Sequence, residues 1–591
     1  MSAAAPLISV IVPVFEVASR VAEAIASLRA QTLSDFEALV IDDGSTDGSG
    51  EAARAATGDD PRFRVIRQAN RGLSGARNTG LAQARGAFIA FVDGDDALEP
   101  GFLQALHAAI LREGTDWAAC GVRLEFAGGG TEDHPAMHGG AAPEAPCRLP
   151  LTDARDVARL FPSAWNKLYR RALFDDLRFP EGSWFEDHEV FWALAARTRA
   201  IAWVPGALCR HRRDRPGQIT GTDSDRVFEQ FGVLERLHPA ILGSGFDAAG
   251  EGYARIATRL VHERLLVLRD PDRRARFLAA TRALFDRLGV DWTPDWDPEI
   301  SRAAGLALAG ALPLSVVVLG DPAPVLAALA GQNMGEFELA VVGQRAPEGS
   351  VAGRPVQRID PHDLTAAALA ERLAGRWVLM LAPGEVPLPE GLMRLVNLGE
   401  ATGTRLAIGG LERRGAGYHD GWTDNHVTAG VEALPVFGGA VTLDPAAVLR
   451  LHPVLGNRLI RRDLLAALPE LPVAGDAVSV AALVLASARA AGQAGYTRLA
   501  VLSAPDAPPG PGLVAAWCRL RALPGDPALP RGWRGTLLMR QAGGLGGGWR
   551  WPFALLLALV SGWVPGAAAA RPDPGSPRWV KLCLRPFYLG A

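Results

Sequence analysis

Apolar, β-branched runs alternate with amphipathic stretches from the start of the chain. The runs LISVIVPVF (7–15) and FEALVIDD (36–43) are continuous, which is the pattern of strands buried on both faces. Between them VAEAIASLRAQT (21–32) spaces its apolar residues as a helix does, and after the turn-rich GSTDGS a second helix is predicted near 49–56. Strands of this kind separated by helices predict a mostly parallel α/β sheet with helices on both faces. Residues from about 225 to 295, including YARIATRLVHERLLVLRD, read as a helical connector.

Size and composition narrow the picture. A chain of 591 residues exceeds what one hydrophobic core supports, so two or more domains are expected. Apolar residues make up 49% and charged residues 21%, the balance of a folded protein. Net charge is −3 and the basic residues are dispersed, which argues against a nucleic-acid partner. Five scattered cysteines without CxxC spacing argue against a disulfide framework or a structural zinc, and fit a reducing cytoplasm. MSAAAPLISVIVPVFE has no basic residue before its apolar run, so no secretory leader is expected. In WPFALLLALVSGWVPGAAAA (551–570) the strongly apolar part, 553–564, falls short of the roughly 20 residues of a spanning helix. A shallow contact at the inner face of a membrane, or a buried helix, is expected there.

The acids carry the candidate chemistry. Asp42 and Asp43 end one predicted strand, and Asp93, Asp95 and Asp96 follow another, AFIAFV, in FVDGDDALEP. Ligands of open α/β sheets sit at the carboxyl ends of the strands. Asp-Gly is also ordinary turn chemistry, but neither cluster has a basic residue beside it in sequence. Mg²⁺ or Mn²⁺ takes one or two carboxylates together with substrate phosphates, and Asp-x-Asp at a strand end presents two carboxylates to one ion. A metal bridging to a phosphorylated ligand is the reading.

Seven segments in order make the pattern specific: ISVIVPVFE (8–16), DFEALVIDDGSTDGS (35–49), NRGLSGARNTG (70–80), GAFIAFVDGDD (86–96), WNKLYRRALF (165–174), FEDHEVFW (185–192) and LCRHRRDRPGQIT (208–220). Together they resemble the inverting glycosyltransferases of family 2, with the Rossmann-like GT-A fold. The resemblance implies a nucleotide-sugar pocket of Pro13, Phe15, Asp43, Asn70, Arg77, Asp93 and Arg212. It implies Asp93 and Asp95 as the DxD pair, with His211 as a further candidate metal ligand. Asp187 is implied as the base that takes the acceptor's proton, with Glu186 beside it orienting the acceptor. The sequence departs from the family pattern at Phe15, which lacks the hydroxyl of a Tyr, and at Cys209, Arg210 and His211, where aromatic residues are usual.

The pattern restarts near residue 305. LSVVVLGDPAPVLAALAGQNMGEFELAVVG (314–343) follows the order of residues 8–42, GRWVLMLAPGEVPLPEGLMRLV (375–396) that of 86–107, and GNRLIRRDLLAALPELPVAGD (456–476) that of 165–187. Residues 305–503 are therefore expected to be a degenerate second GT-A domain. Gly343, Gln344, Ala382 and Gly384 stand where the first copy has Asp42, Asp43, Asp93 and Asp95, and Glu385 and Asp476 stand at the places of Asp96 and Asp187. The expected organisation is a catalytic domain (1–225), a helical connector (226–304), the degenerate copy (305–503) and a Pro/Gly/Ala-rich tail (504–591).

The expected function is transfer of a sugar from a nucleotide sugar, taken to be a UDP-sugar, to a hydroxyl of a glycan or lipid-linked acceptor. Mn²⁺ or Mg²⁺ is the expected cofactor, surface polysaccharide synthesis the setting, and the cytoplasm or the inner membrane face the location. The rival is a non-catalytic glycan- or nucleotide-binding scaffold, which the retained acids of the first copy oppose. A sugar-nucleotide nucleotidyltransferase would want a Gly-rich basic loop after the first strand, and VPVFEVASR has none.

Overall fold

The computed structural model describes residues 5–505 apart from 139–141, 183, 214–220, 246, 248, 344–349, 352, 363, 415–436, 444–454, 469–482, 485 and 489. Gln344, Gln218, Asp476 and the segment 551–570 lie outside the described residues. The chain forms two compact units, one of residues up to 268 with 279–300, the other of 269–278 with those from 301 onward. The helices α7 (Glu229–Gly243) and α8 (Glu251–Val267) belong to the first unit.

In the first unit the strands are β1 (Ile8–Val14), β2 (Phe36–Asp42), β3 (Phe63–Arg67), β4 (Phe88–Phe91), β5 (Ala97–Leu98), β6 (Trp117–Phe126), β7 (Thr131–His134), β8 (Cys147–Pro150), β9 (Lys167–Arg170) and β10 (Ala200–Arg213). The sheet runs β3-β2-β1-β4-β9-β6-β10-β5, with β7 on β6 and β8 on β10. β3, β2, β1 and β4 are parallel, as the apolar runs predict. Pairings of β9, β5, β7 and β8 are antiparallel, so the whole sheet is mixed and less parallel than the early runs imply. Those short strands lack the continuous apolar stretches from which parallel strands are read.

Every residue of β1 and β2 is buried. Ile8, Val10, Val12 and Val14 join α1 (Val21–Arg29) and α4 (Phe102–Glu113) in one core. Ile11 faces the other way, against α3 (Gly72–Gln83), where Gly80 packs so closely that an added Cβ would lie 2.4 Å from Ile11 Cγ2. Helices therefore cover both faces. Burying a Val, Leu or Ile side chain contributes about 1.5–3 kcal/mol, so these strands are the fixed frame on which the loops are held.

The second unit repeats the main path of this sheet and the β8 pairing, while β7 has no counterpart among its described strands. Its strands β11 (Leu314–Leu319), β12 (Phe337–Val342), β14 (Arg354–Ile359), β15 (Trp377–Leu381), β16 (Val386–Pro387), β17 (Leu406–Arg414), β18 (Gly439–Thr442), β19 (Arg458–Arg461) and β20 (Gln493–Pro505) run β14-β12-β11-β15-β19-β17-β20-β16, with β18 on β20. A short β13 (Ser350–Val351) adds a strand beyond β14. Along the shared path the parallel and antiparallel pairings match those of the first sheet, and two register shifts interrupt β17–β20 as two interrupt β6–β10. Side-chain detail is shared too. Ser9 Oγ accepts the Gly86 N–H at 2.8 Å and donates to Glu37; Ser315 accepts from Gly375 at 2.9 Å and donates to Glu338.

Register fixes the equivalences. Ile8 aligns with Phe88 as Leu314 aligns with Trp377, which sets Ala382 opposite Asp93 and Glu385 opposite Asp96. Phe88 aligns with Arg170 as Trp377 aligns with Arg461, which pairs Asn166–Lys167 with Asn457–Arg458. Glu385 is one methylene longer than Asp96 and folds back on its own loop. Its carboxylate accepts N–H bonds from Ala382 (2.8 Å), Gly456 (2.9 Å) and Leu455 (3.2 Å). Burial pushes it up to about 7, against those donors.

Candidate functional site

The two acid clusters meet because β2 and β4 flank β1 and all three end together. Asp43 N donates to Val14 O (2.9 Å) and Gly94 N to Pro13 O (3.1 Å), so both turns are tied to the end of β1. Asp42 is buried and accepts Ser45 N at 3.0 Å, with Arg67 Nη1 3.6 Å away, so it builds the turn. Asp43 Oδ1 accepts Gln68 Nε2 at 2.7 Å and the Arg71 N–H at 3.0 Å. Asn70 spends its Oδ1 on Gly72 N at the start of α3. Phe15, 48% exposed, shows its ring at the rim, and Glu16 beside it takes a positive φ of 51° with its carboxylate on Thr46 N and Oγ1.

Arg77 is the hub. On α3, 1% exposed, it donates from Nη2 to Asp93 Oδ1 (3.1 Å) and from Nη1 to Glu186 Oε1 (2.6 Å) and to Asp187 Oδ1. Phe179 lies under the guanidinium, 5.2 Å from its centre. Burial works against the Arg77 charge, but Asp187, Asp93 and Glu186 outweigh it and raise its pKa. Three carboxylates share one cation, which leaves net negative charge. Burial, together with repulsion from Asp187, raises the Glu186 carboxyl. Burial likewise raises that of Asp93, which Arg77 opposes and Asp96, Asp95 and Asp187 reinforce.

Glu186 and Asp187 open α6 (Asp187–Thr198) directly after Phe185, whose φ of 66° is a strained setting for an aromatic residue. The Phe185 ring is held by Arg264 at 4.8 Å. Asp187 also accepts the Ala164 N–H through Oδ2 at 3.2 Å, so both of its oxygens are oriented.

At the end of β4, Asp96 Oδ2 lies 2.9 Å from His211 Nδ1 and Oδ1 accepts Arg212 N at 3.0 Å. Burial opposes charge on His211, but Asp96 prevails and raises its pKa. The imidazole stacks on Trp165, centroids 4.5 Å apart and planes 13° apart. The Arg212 guanidinium reaches Asp95 O, Glu23 (2.6 Å) and Glu125 (3.4 Å). Asp95 is 8% exposed. Among the described residues no three His, Cys, Asp or Glu side chains form a metal cage. The half-buried carboxylate of Asp93 and the buried one of Asp95, two residues apart after β4, fit a hard divalent cation that draws its remaining ligands from a diphosphate.

The sequence model of Glycosyl transferase family 2 matches residues 9–178. EpsH of Bacillus subtilis (strain 168), a glycosyltransferase by name, is 31% identical over 252 residues, which are 40% of this chain and 69% of EpsH. The chain belongs to glycosyltransferase family 2. EpsJ of the same organism, also named a glycosyltransferase, is 38% identical over 188 residues, 30% of this chain and 55% of EpsJ; the chain thus spans about half of that relative. Among solved structures, S. aureus TarS 1-349 in complex with UDP-GlcNAc is 20% identical over 48% of this chain and 93% of its own, with a TM-score of 0.35. No helix among the described residues is long and apolar enough to cross a membrane.

Against the family pattern, the fold gathers Asp43, Arg77, Asp93, Asp95, Glu186, Asp187 and His211 around the ends of β1, β2 and β4. The sequence shows no base beside the acids, and the fold corrects this impression: Arg77 comes from α3, 16 residues before Asp93 and 110 before Asp187. Gln68, Trp165 and the Ala164 N–H carry no site signal of their own in the sequence. Gln68 follows β3, the strand beside β2, so topology points to it; Trp165 lies in WNKLYRRALF, and its role comes from stacking on His211.

Proposed function

We propose that the first unit is a metal-dependent inverting glycosyltransferase that moves a sugar from a nucleotide sugar, a UDP-sugar in the first instance, to a hydroxyl of a glycan or lipid-linked acceptor. The observation that carries this reading is the Arg77 hub: one buried guanidinium joins Asp93 to the Glu186–Asp187 pair. Donor and acceptor functions are thereby held in one electrostatic unit.

Asp43, fixed by Gln68 and the Arg71 N–H, presents its carboxylate for the base or ribose, with Pro13 and Phe15 at the same rim. Asp93 and Asp95 would hold Mn²⁺ or Mg²⁺, which when bound supplies positive charge for the departing diphosphate. His211 keeps Nδ1 on Asp96; only Nε2 remains for a metal, and a protonated ring would offer none. Asp187, oriented by Arg77 and Ala164 N–H, takes the proton of the acceptor hydroxyl as that oxygen attacks the anomeric carbon from the face opposite the diphosphate. Glu186 orients the acceptor. Surface polysaccharide or lipid-linked glycan synthesis suits such a reaction, in the cytoplasm or at the inner membrane face.

Calorimetric titration of the full chain with UDP and GDP, in Mn²⁺ and again in EDTA, tests the reading. Binding of a nucleoside diphosphate that is weakened by EDTA and by Asp95→Ala supports it. Absence of binding to either by the unmutated protein counts against it.

A further inference from the structure

The Asn166–Lys167 pair of WNKLYRRALF has no place in the mechanism above, yet Lys167 is among the largest fully buried side chains. Its ammonium donates to Phe161 O, Ser163 O and Asn166 Oδ1, each at 2.7 Å. An ammonium has three N–H groups, so only the protonated form fills all three bonds at once. The aromatic face of Phe191, 5.3 Å away, adds a favourable contact for the cation. Asn166 in turn donates to Cys120 O at 2.8 Å on β6, which anchors the arrangement to the sheet. All three acceptors lie in the segment 161–166, which Lys167 gathers around its head group.

That segment makes two contacts with the site. Ala164 N–H meets Asp187 Oδ2, and Trp165 stacks on His211, which holds Asp96. We propose that Lys167 is a positioning residue: its three hydrogen bonds set the 161–166 segment so that Ala164 orients the Asp187 carboxylate and Trp165 braces His211. The proposal rests on the transferase reading for what Asp187 does.

The second unit supplies an internal comparison. Arg458 occupies the place of Lys167, fully buried, and donates from Nε to Asn457 Oδ1 at 3.1 Å, while Asn457 donates to Gly409 O at 3.0 Å. There the segment's N–H groups at Leu455 and Gly456 meet Glu385. In both units the buried cation opens the strand with its Asn just before it, and the preceding segment presents backbone N–H to a carboxylate. What differs is which carboxylate receives them.

The test compares, in the full chain, Lys167→Met, which removes the donors; Lys167→Arg, which restores a cation; and Ala164→Pro, which removes the N–H that Asp187 accepts while also fixing φ at 164 and restricting Ser163. Amide exchange across 161–166 and donor turnover are measured on each. The proposal predicts about 10-fold faster exchange or more in Lys167→Met, with kcat lower by about 10- to 100-fold, the size of effect that loss of an orienting partner brings. Lys167→Arg regains part of both. Ala164→Pro lowers kcat comparably, and the double variant Ala164→Pro/Lys167→Met is little worse than the poorer single variant. A folded Lys167→Met with unchanged exchange and kcat overturns the proposal, as do fully multiplicative losses in the double variant. Should Lys167→Met not fold, Lys167→Arg and Ala164→Pro decide: normal kcat in Ala164→Pro overturns it. If the unmutated chain turns over no nucleotide sugar, the transferase reading fails, whereas exchange across 161–166 still tells whether Lys167 sets the segment.

Discussion

Arg77 concentrates the energetics of the site in one residue. It is buried and faces three carboxylates, so removing it leaves uncompensated charge, the costly way to break a buried pair. Arg77→Met is expected to lose about 3–5 kcal/mol of first-unit stability in denaturant unfolding, and adding Asp93→Asn should recover part of that loss. Equal stability of Arg77→Met and the unmutated chain would remove the hub from the account. The sequence exposed the acids because they follow apolar strands at positions where ligands gather. It hid Arg77's partners, since a residue on α3 and a pair more than 100 positions later meet only through the fold.

Among elements, the parallel strands were legible for a simple reason: burial on both faces leaves a continuous apolar run. β5, β7, β8 and β9 were not, being too short to carry a period of their own. The turn after β4 and its counterpart after β15 show what local sequence changes within a constant frame. Asp96 reaches out to His211, whereas Glu385 turns back onto Ala382, Leu455 and Gly456. Because the Glu385 carboxyl titrates at about 7 folded against an ordinary 4.5, the folded state binds its proton more tightly than the unfolded chain does. The resulting stabilisation is complete below about 4.5 and is lost as pH rises towards 7, about 3 kcal/mol across that window. Glu385→Gln has no such loss, so its melting temperature relative to the unmutated chain should rise between pH 5 and pH 7.5. A constant difference would show that the carboxyl is not held protonated. Transfer activity should be the same in both.

At the scale of the whole molecule, one fold occurs twice and only the first copy keeps acids at the places of Asp42, Asp43, Asp93 and Asp95. Register puts Ala382 where Asp93 stands, and in the sequence Gly384 replaces Asp95. A single nucleoside diphosphate should therefore bind per chain in Mn²⁺, and Asp95→Ala should weaken that one event; two equivalent events in calorimetry would contradict the division of roles. The repeat was legible from the order of its segments, whereas the equivalence of Lys167 and Arg458 needed the strand registers. The most direct measurement is release of nucleoside diphosphate from a panel of nucleotide sugars with Mn²⁺, by the unmutated chain and by Asp95→Ala. The account predicts turnover of at least one donor and a fall of about 10²–10³-fold in the variant, the size of effect seen when transition-state charge loses its stabilising partner. Turnover of no donor, or equal rates for the two proteins, would contradict it.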